Sequence, residues 1–357
     1  MESIRIAVLG AGTWGIALAR MLAGSGHCVT VWSALPREVE QLARERRHPN
    51  LPGMVIPEAI GFTGDIAEAC QDKRIVLFAV PSVYVRKTAE RAAPCLREGQ
   101  LLADVAKGLE AETLLTMSEV IADELSKAHA PDLPVVALSG PTHAEEVALD
   151  HPTTIVAACR EPAAAAYAQK VFTNRAMRVY TNGDVRGVEL CGALKNIIAL
   201  AAGISDGLGF GDNAKAALIT RGLAEIRRLG LRMGCREETF SGLAGVGDLI
   251  VTATSRHSRN NRAGYLIGTG KSVERALEEV GMVVEGINAI PAALAMAKRC
   301  GVEMPITFAV SRVIGGRQTP REAVEQLMGR RGRDETDQEG YALTSEAELL
   351  GNEEEKG

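Results

Sequence analysis

Aromatic side chains are scarce in this chain of 357 residues, with two Trp, five Tyr and six Phe. The stacking platforms on which single-stranded nucleic acids lie are therefore missing, and a net charge of −5 removes the basic surface such ligands require. The seven cysteines (28, 70, 95, 159, 191, 235 and 300) are scattered, odd in number and never spaced C-x-x-C. They read as small buried hydrophobes in a reducing compartment, not as a disulfide framework or a zinc site. Six histidines add no metal-like spacing, so no metal is expected. No run of eighteen apolar residues occurs, so no membrane-spanning segment is expected. Strand character begins at residue 4, which leaves no room for a signal peptide and leads us to expect a cytoplasmic protein.

What is present at once is a strand running into a glycine turn. Residues 4–9 (IRIAVL) are mostly apolar, and Gly10-Ala11-Gly12-Thr13-Trp14-Gly15 follows, opening an Ala/Leu-rich helical stretch over 15–23. In G-x-G-x-x-G the first glycine makes the tight turn and the second lets a pyrophosphate approach the backbone. The third permits close helix–strand packing, and the helix N-terminus offers free N–H groups to phosphates. A bare glycine-rich turn is the alternative, but the strand–turn–helix setting favours a dinucleotide.

Further strand-like runs fall at 27–32, 75–81, 100–104, 135–139, 153–158 and 178–181, with helical patterns between most of them. Continuous apolar strands such as 75–80 suit a parallel sheet covered on both faces. From about residue 185 the strand-like runs stop, and 3.6-residue periodicity takes over, as in 214–229, 273–280 and 289–299. After Arg330 the chain turns acidic and poor in core-forming residues. The expectation is an α/β fold: an N-terminal Rossmann-like doubly wound domain (1–184), an all-helical C-terminal domain (185–330) and an acidic, disordered tail (331–357).

Ligands of such sheets lie beyond the carboxyl ends of the strands, where Lys107-Gly108 and Gly140-Pro141-Thr142 fall. The stretch 188–204 is apolar nearly all round yet carries Lys195-Asn196 in its middle. Either this lysine snorkels to the surface or it is a proton donor facing an interdomain cleft; ionisable groups in apolar settings favour the second. Asp248, among the glycines and apolar residues of 242–250, is a partner for it, although an aspartate there also suits a helix cap. Ser255-Arg256-His257-Ser258-Arg259-Asn260-Asn261-Arg262 concentrates donors suited to a phosphate, against the plainer reading of a solvated basic loop. After the second strand, Val31-Trp32-Ser33-Ala34-Leu35-Pro36-Arg37 contains no acid and one late base, which leaves the choice between NADH and NADPH open.

These motifs together resemble the bacterial NAD(P)-dependent glycerol-3-phosphate dehydrogenases. The likeness runs in order through the glycine turn, Lys107-Gly108-Leu109-Glu110, Ser139-Gly140-Pro141-Thr142, Leu194-Lys195-Asn196 and the stretches 205–211 and 217–222. It continues through Gly245-Val246-Gly247-Asp248-Leu249, Ser258-Arg259-Asn260 and Val283-Val284-Glu285-Gly286. The resemblance implies interconversion of dihydroxyacetone phosphate and sn-glycerol 3-phosphate with NADPH or NADH, supplying phospholipid synthesis. It implies a catalytic Lys195 and substrate contacts from Lys107, Gly140, Thr142, Lys195, Asp248, Ser258, Arg259 and Asn260. Cofactor contacts would come from Gly10, Gly12, Thr13, Trp14, Gly15, Lys107, Ala144, Arg259, Val283 and Glu285, while Asn196 and Thr252 match pocket positions. Ala34 and Asn50 depart from the residues common in the family, at positions that bear on the nucleotide. A homodimer is compatible with this reading. A related dehydrogenase of hydroxyacyl thioesters or sugar acids would be expected to carry a His–Glu pair or a differently placed lysine. A non-catalytic nucleotide sensor would have no use for Lys195 and Asp248 in apolar surroundings.

Overall fold

The computed structural model describes residues 2–332 and Glu335. Its first half is an eight-stranded sheet of β1 (Arg5–Leu9), β2 (Cys28–Trp32), β3 (Gly61–Thr63), β4 (Ile75–Phe78), β5 (Leu101–Asp104), β6 (Val135–Ser139), β7 (Thr153–Ala158) and β8 (Met177–Asn182). The spatial order is β3-β2-β1-β4-β5-β6-β7-β8. The direction of winding therefore reverses between β1 and β4, and a crevice opens there at the carboxyl ends of the strands. β4 is apolar along its length, as are β1 after Arg5 and β5 before Asp104, because helices cover both faces. One core packs Ile6, Val8, Val31 and Leu77 against the helix Thr13–Gly24; the opposite face packs Ala7, Leu9, Val76 and Phe78.

Two features depart from the sequence reading. The strand Gly61–Thr63 lies outside every strand-like run, because three residues are too few to show an apolar pattern; it is held as an edge partner of β2. The sheet is also not wholly parallel: β6 and β7 pair antiparallel. Their connection contains only the five-residue helix Ala144–Ala148. Such a helix is about 7.5 Å long, against about 16 Å for a five-residue strand, and the chain turns back beside β6 instead of crossing over to its start.

The second half is helical and built around Val185–Gly207, in which every residue from 185 to 205 except Arg186 is buried. Its N-terminus is capped by Asp184, whose carboxylate accepts from the Gly187 N–H at 3.0 Å. By length and hydropathy this helix is apolar enough to cross a membrane, but its apolar stretch is wholly enclosed by the protein. The helices Arg259–Gly268 and Glu285–Cys300 pack against it, and small residues set the distance. A Cβ on Gly264 would stand 2.1 Å from the Leu200 carbonyl oxygen, and one on Gly203 2.0 Å from that of Asn261. The two backbones thus touch directly, which carries residues 258–260 to the middle of the buried helix. From residue 333 onward, except for Glu335, the expected acidic tail lies outside the described residues.

Overpacking at this backbone contact should be costly. Gly264→Ala is expected to lower unfolding free energy by about 1–3 kcal/mol in urea titrations. Gly24→Ala, where an added methyl meets nothing within 4 Å, should cause no loss.

Candidate active site

At the end of β1, Gly10 has φ +129°, and a Cβ there would stand 2.7 Å from the Ala79 carbonyl carbon. Only glycine fits that turn. A Cβ on Gly15 would lie 2.1 Å from the Gly10 carbonyl oxygen, so this residue lets the helix begin hard against the turn. Gly12 is different: a Cβ there meets nothing within 4 Å, so the space beside it is open. The first-turn hydroxyl of Thr13 is buried without a hydrogen-bond partner. Open space, free helix N–H groups and an orphaned hydroxyl at one strand end fit the pyrophosphate of a dinucleotide. Trp14 is half-buried beside them.

Beyond β5 and β6 lie Lys107 and the Gly140–Thr142 segment, and from the helical half come Lys195 and Asp248. The Asp248 carboxylate is completely buried. One oxygen is 2.7 Å from the Lys195 ammonium, and the other is 2.7 Å from that of Lys107. Lys107 also donates to the Gly140 carbonyl at 3.0 Å and to the Thr142 hydroxyl at 3.2 Å. Lys195 donates to the Thr252 hydroxyl at 2.5 Å, which in turn donates to the Asp248 carbonyl at 2.6 Å. Asp248, expected to partner Lys195, pairs with two lysines, one from each half of the molecule. Snorkelling of Lys195 is ruled out, since the residue is only 5 % exposed.

Local sequence explains the placement of Asp248. The turn Leu243–Gly247 is a wide π turn, in which the Gly247 N–H reaches the Gly242 carbonyl at 3.2 Å. Gly245 lies so close to Phe240 that a Cβ would stand 2.0 Å from its carbonyl oxygen. This turn delivers Asp248 to the first position of the helix Asp248–Thr254, facing inward.

Burial pushes the Lys195 ammonium down from its ordinary value of 10.5 to about 8; Asp248 opposes the fall, while Lys107 and Arg259 assist it. The displacement corresponds to roughly 3 kcal/mol against the charged form. A lysine so placed can both give and take a proton near neutrality.

The helix Arg259–Gly268 starts at the same cleft. Ser258 caps it, its hydroxyl accepting from the Asn261 N–H at 3.2 Å. The Asn260 amide group donates to the Asn196 side chain at 2.9 Å and accepts from the Gly286 N–H at 2.8 Å. Two side chains expected on the substrate are thus engaged in holding helices together. The first-turn N–H groups of Arg259 and Asn260, which have no intrahelical acceptor, are left as donors beside the exposed Arg259 side chain. Asn196 donates in turn to the Lys107 carbonyl at 3.3 Å, which ties the two halves together.

A second tie escaped the sequence reading. Glu285, expected on the cofactor, accepts from the Ser82 N–H at 3.0 Å with one oxygen and from the Ser82 hydroxyl with the other. Gly108 makes room for it: a Cβ there would stand 2.3 Å from the Ser82 Cβ. Val283 is half-buried just before this contact, and Ala144 is half-buried at the start of its short helix. No signal in the sequence pairs Ser82 with a residue 203 positions later.

A glycine turn at the winding reversal, faced by a buried lysine from a helical half, defines a two-domain dinucleotide-dependent oxidoreductase. Comparison with known proteins makes the class specific. The family model for the N-terminus of NAD-dependent glycerol-3-phosphate dehydrogenase matches residues 5–165, and the one for its C-terminus matches 184–325. Glycerol-3-phosphate dehydrogenase [NAD(P)+] 2 of Lactobacillus delbrueckii subsp. bulgaricus is 65 % identical over 332 residues, covering 93 % of this chain and 98 % of its own. The Geobacillus thermodenitrificans glycerol-3-phosphate dehydrogenase [NAD(P)+] is 51 % identical over 327 residues, covering 91 % and 94 %. The crystal structure of glycerol-3-phosphate dehydrogenase from Coxiella burnetii superposes with a TM-score of 0.87 at 38 % identity, covering 92 % of this chain and 99 % of that one. A ketopantoate reductase from Ralstonia eutropha, at 17 % identity and TM-score 0.59, shares the fold alone. The chain belongs to the NAD-dependent glycerol-3-phosphate dehydrogenase family.

Removing the shared carboxylate would take away the influence that holds Lys195 charged. In Asp248→Asn the alkaline limb of the pH–rate profile for ketone reduction should therefore move below pH 8. Stability should fall by about 3–5 kcal/mol, because two ammonium groups lose their buried partner. Profiles of initial rate and urea melts would show both effects.

Proposed function

We propose that the cluster centred on Asp248 carries the proton transfer of this family's reaction. The chain is an NAD(P)-dependent glycerol-3-phosphate dehydrogenase that reduces dihydroxyacetone phosphate to sn-glycerol 3-phosphate, reversibly, with NADH or NADPH. The reductive direction supplies glycerol 3-phosphate for phospholipid synthesis. The observation that carries the mechanism is the fully enclosed contact of Lys195 with Asp248 and Thr252, at the place where the two halves meet.

Bound NAD(P)H supplies the hydride. Lys195 gives its proton to the carbonyl oxygen of the ketone as negative charge develops there, and Lys107 adds a second positive charge at the same cleft. Asp248 holds both ammonium groups in place and restrains Lys195 from losing its proton. Arg259, with the first-turn N–H groups of its helix, grips the substrate phosphate, so that binding remote from the carbonyl fixes its orientation. Lys107, Gly140, Thr142, Ser258 and Asn260 shape the substrate side. Gly10, Gly12, Thr13, Trp14, Gly15, Ala144, Val283 and Glu285 hold the nucleotide.

We place the division between the domains at 184/185, supported by the end of β8 at Asn182 and the start of the buried helix at Val185. A homodimer and a cytoplasmic location complete the reading; seven cysteines without a disulfide support a reducing compartment.

Lys195→Ala should lose most turnover while still binding NADH, as read by nucleotide fluorescence; wild-type activity in this variant would refute the assignment. The two reaction directions should mirror each other in pH. Reduction needs the ammonium and declines above about 8, whereas oxidation needs the free amine and rises through about 8. Arg259→Ala should raise KM for dihydroxyacetone phosphate with little change in kcat, and a pure kcat effect would move the phosphate elsewhere.

A further inference from the structure

Two histidines at the rim of the cleft take no part in the chemistry above. His143 belongs to the loop after β6, directly following Gly140–Thr142, and His257 belongs to the turn before the helix Arg259–Gly268. Their ring centroids are 5.8 Å apart with planes tilted by 54°. This tilted geometry is the favourable one for paired rings. The contact joins a loop of the first domain to the segment that carries Ser258 and Arg259.

Each ring is fixed on its own side. Nε2 of His143 lies 3.4 Å from the Val251 carbonyl oxygen, in the helix that carries Asp248 and Thr252. Burial holds the imidazole below its usual range, and the Lys195 ammonium pushes the same way, so the ring meets its partner uncharged. The carboxylates of Glu145 and Glu146 and the Val251 carbonyl oppose this. On the other side the His257 N–H donates to the Ser255 hydroxyl at 3.1 Å, and the Ser258 N–H to the Ser255 carbonyl at 3.2 Å. Residues 255–258 therefore form a tight turn with the His257 ring on one flank and the start of the phosphate-facing helix on the other.

From this geometry we infer that His257, braced against His143, is a positioning residue for the phosphate grip. The ring contact docks the 255–258 turn onto the loop whose Gly140 and Thr142 accept from Lys107, and so sets where Arg259 and its helix N-terminus stand relative to the reacting carbonyl. The inference rests on the phosphate reading of Arg259. His257 acts through its ring contact with His143 on the 255–258 turn, so its loss acts on substrate affinity and leaves the proton transfer alone.

The test compares His257→Ala, His257→Phe and Arg259→Ala in the full chain, with dihydroxyacetone phosphate and NADH as probes. His257→Ala should raise KM for dihydroxyacetone phosphate about three- to tenfold, with kcat and the Kd for NADH within twofold of the parent. His257→Phe keeps an aromatic ring at the contact and should restore the parental KM. His257 is exposed, so neither variant should unfold, and a thermal melt checks this. If Arg259→Ala raises KM while His257→Ala does not, the inference fails and the phosphate reading stands. If neither raises KM, both fall. A KM raised by His257→Ala alone, a kcat loss in His257→Ala, or a phenylalanine variant no better than alanine also overturns the positioning role.

Discussion

The carboxylate of Asp248, buried without exposure to water between two ammonium groups, is the constraint on which the site depends. Burial of one such charge costs several kcal/mol after relaxation, and a single lysine would leave the remaining acceptor capacity unsatisfied. Two lysines solve the problem only if both halves of the molecule contribute, since Lys107 follows a strand of the sheet and Lys195 sits within the central helix. The electrostatics of the site and the docking of the domains are one interaction. The same pairing explains why Lys195 settles near 8 instead of falling further: desolvation pulls it down and Asp248 holds it up.

Around this centre further contacts join the two halves. Glu285 grips Ser82, Asn196 reaches the Lys107 carbonyl, and His143 meets His257. Glycines make these approaches possible by removing side chains where backbones touch, at Gly264 against Leu200 and at Gly108 against Ser82. The rigid core helix thus supplies a lysine with a defined position, and the loops beyond the strands supply the groups that face it.

Much of this was legible in order along the chain. β6 (Val135–Ser139), β7 (Thr153–Ala158) and the helix Val273–Val280 carry the bounds expected from hydrophobic pattern. Patterning works there because each element buries a continuous face. It failed at Gly61–Thr63, whose three residues hold too little apolar surface to register, and it could not foresee the antiparallel β6–β7 pair, since strand direction leaves no mark on hydrophobic pattern. Lys195 and Asp248 stood out because a charge in an apolar stretch needs a partner. Hydrogen-bonding side chains near Arg259 mark Ser258 and Asn260 as ligand groups, but that Ser258 also caps its own helix and Asn260 also ties Asn196 to Gly286 depends on the folded backbone.

By itself the sequence determined the alternation of strand and helix, the glycine turn and the anomalous lysine in an apolar stretch, since these rest on local periodicity and on the character of single side chains. Only the tertiary structure decided that Asp248 serves two lysines, that Glu285 locks onto Ser82 and that two histidines meet at the rim. Those are pairings between residues 53 to 203 positions apart. Their geometry is set by how closely two backbones can approach, and no local pattern encodes that distance.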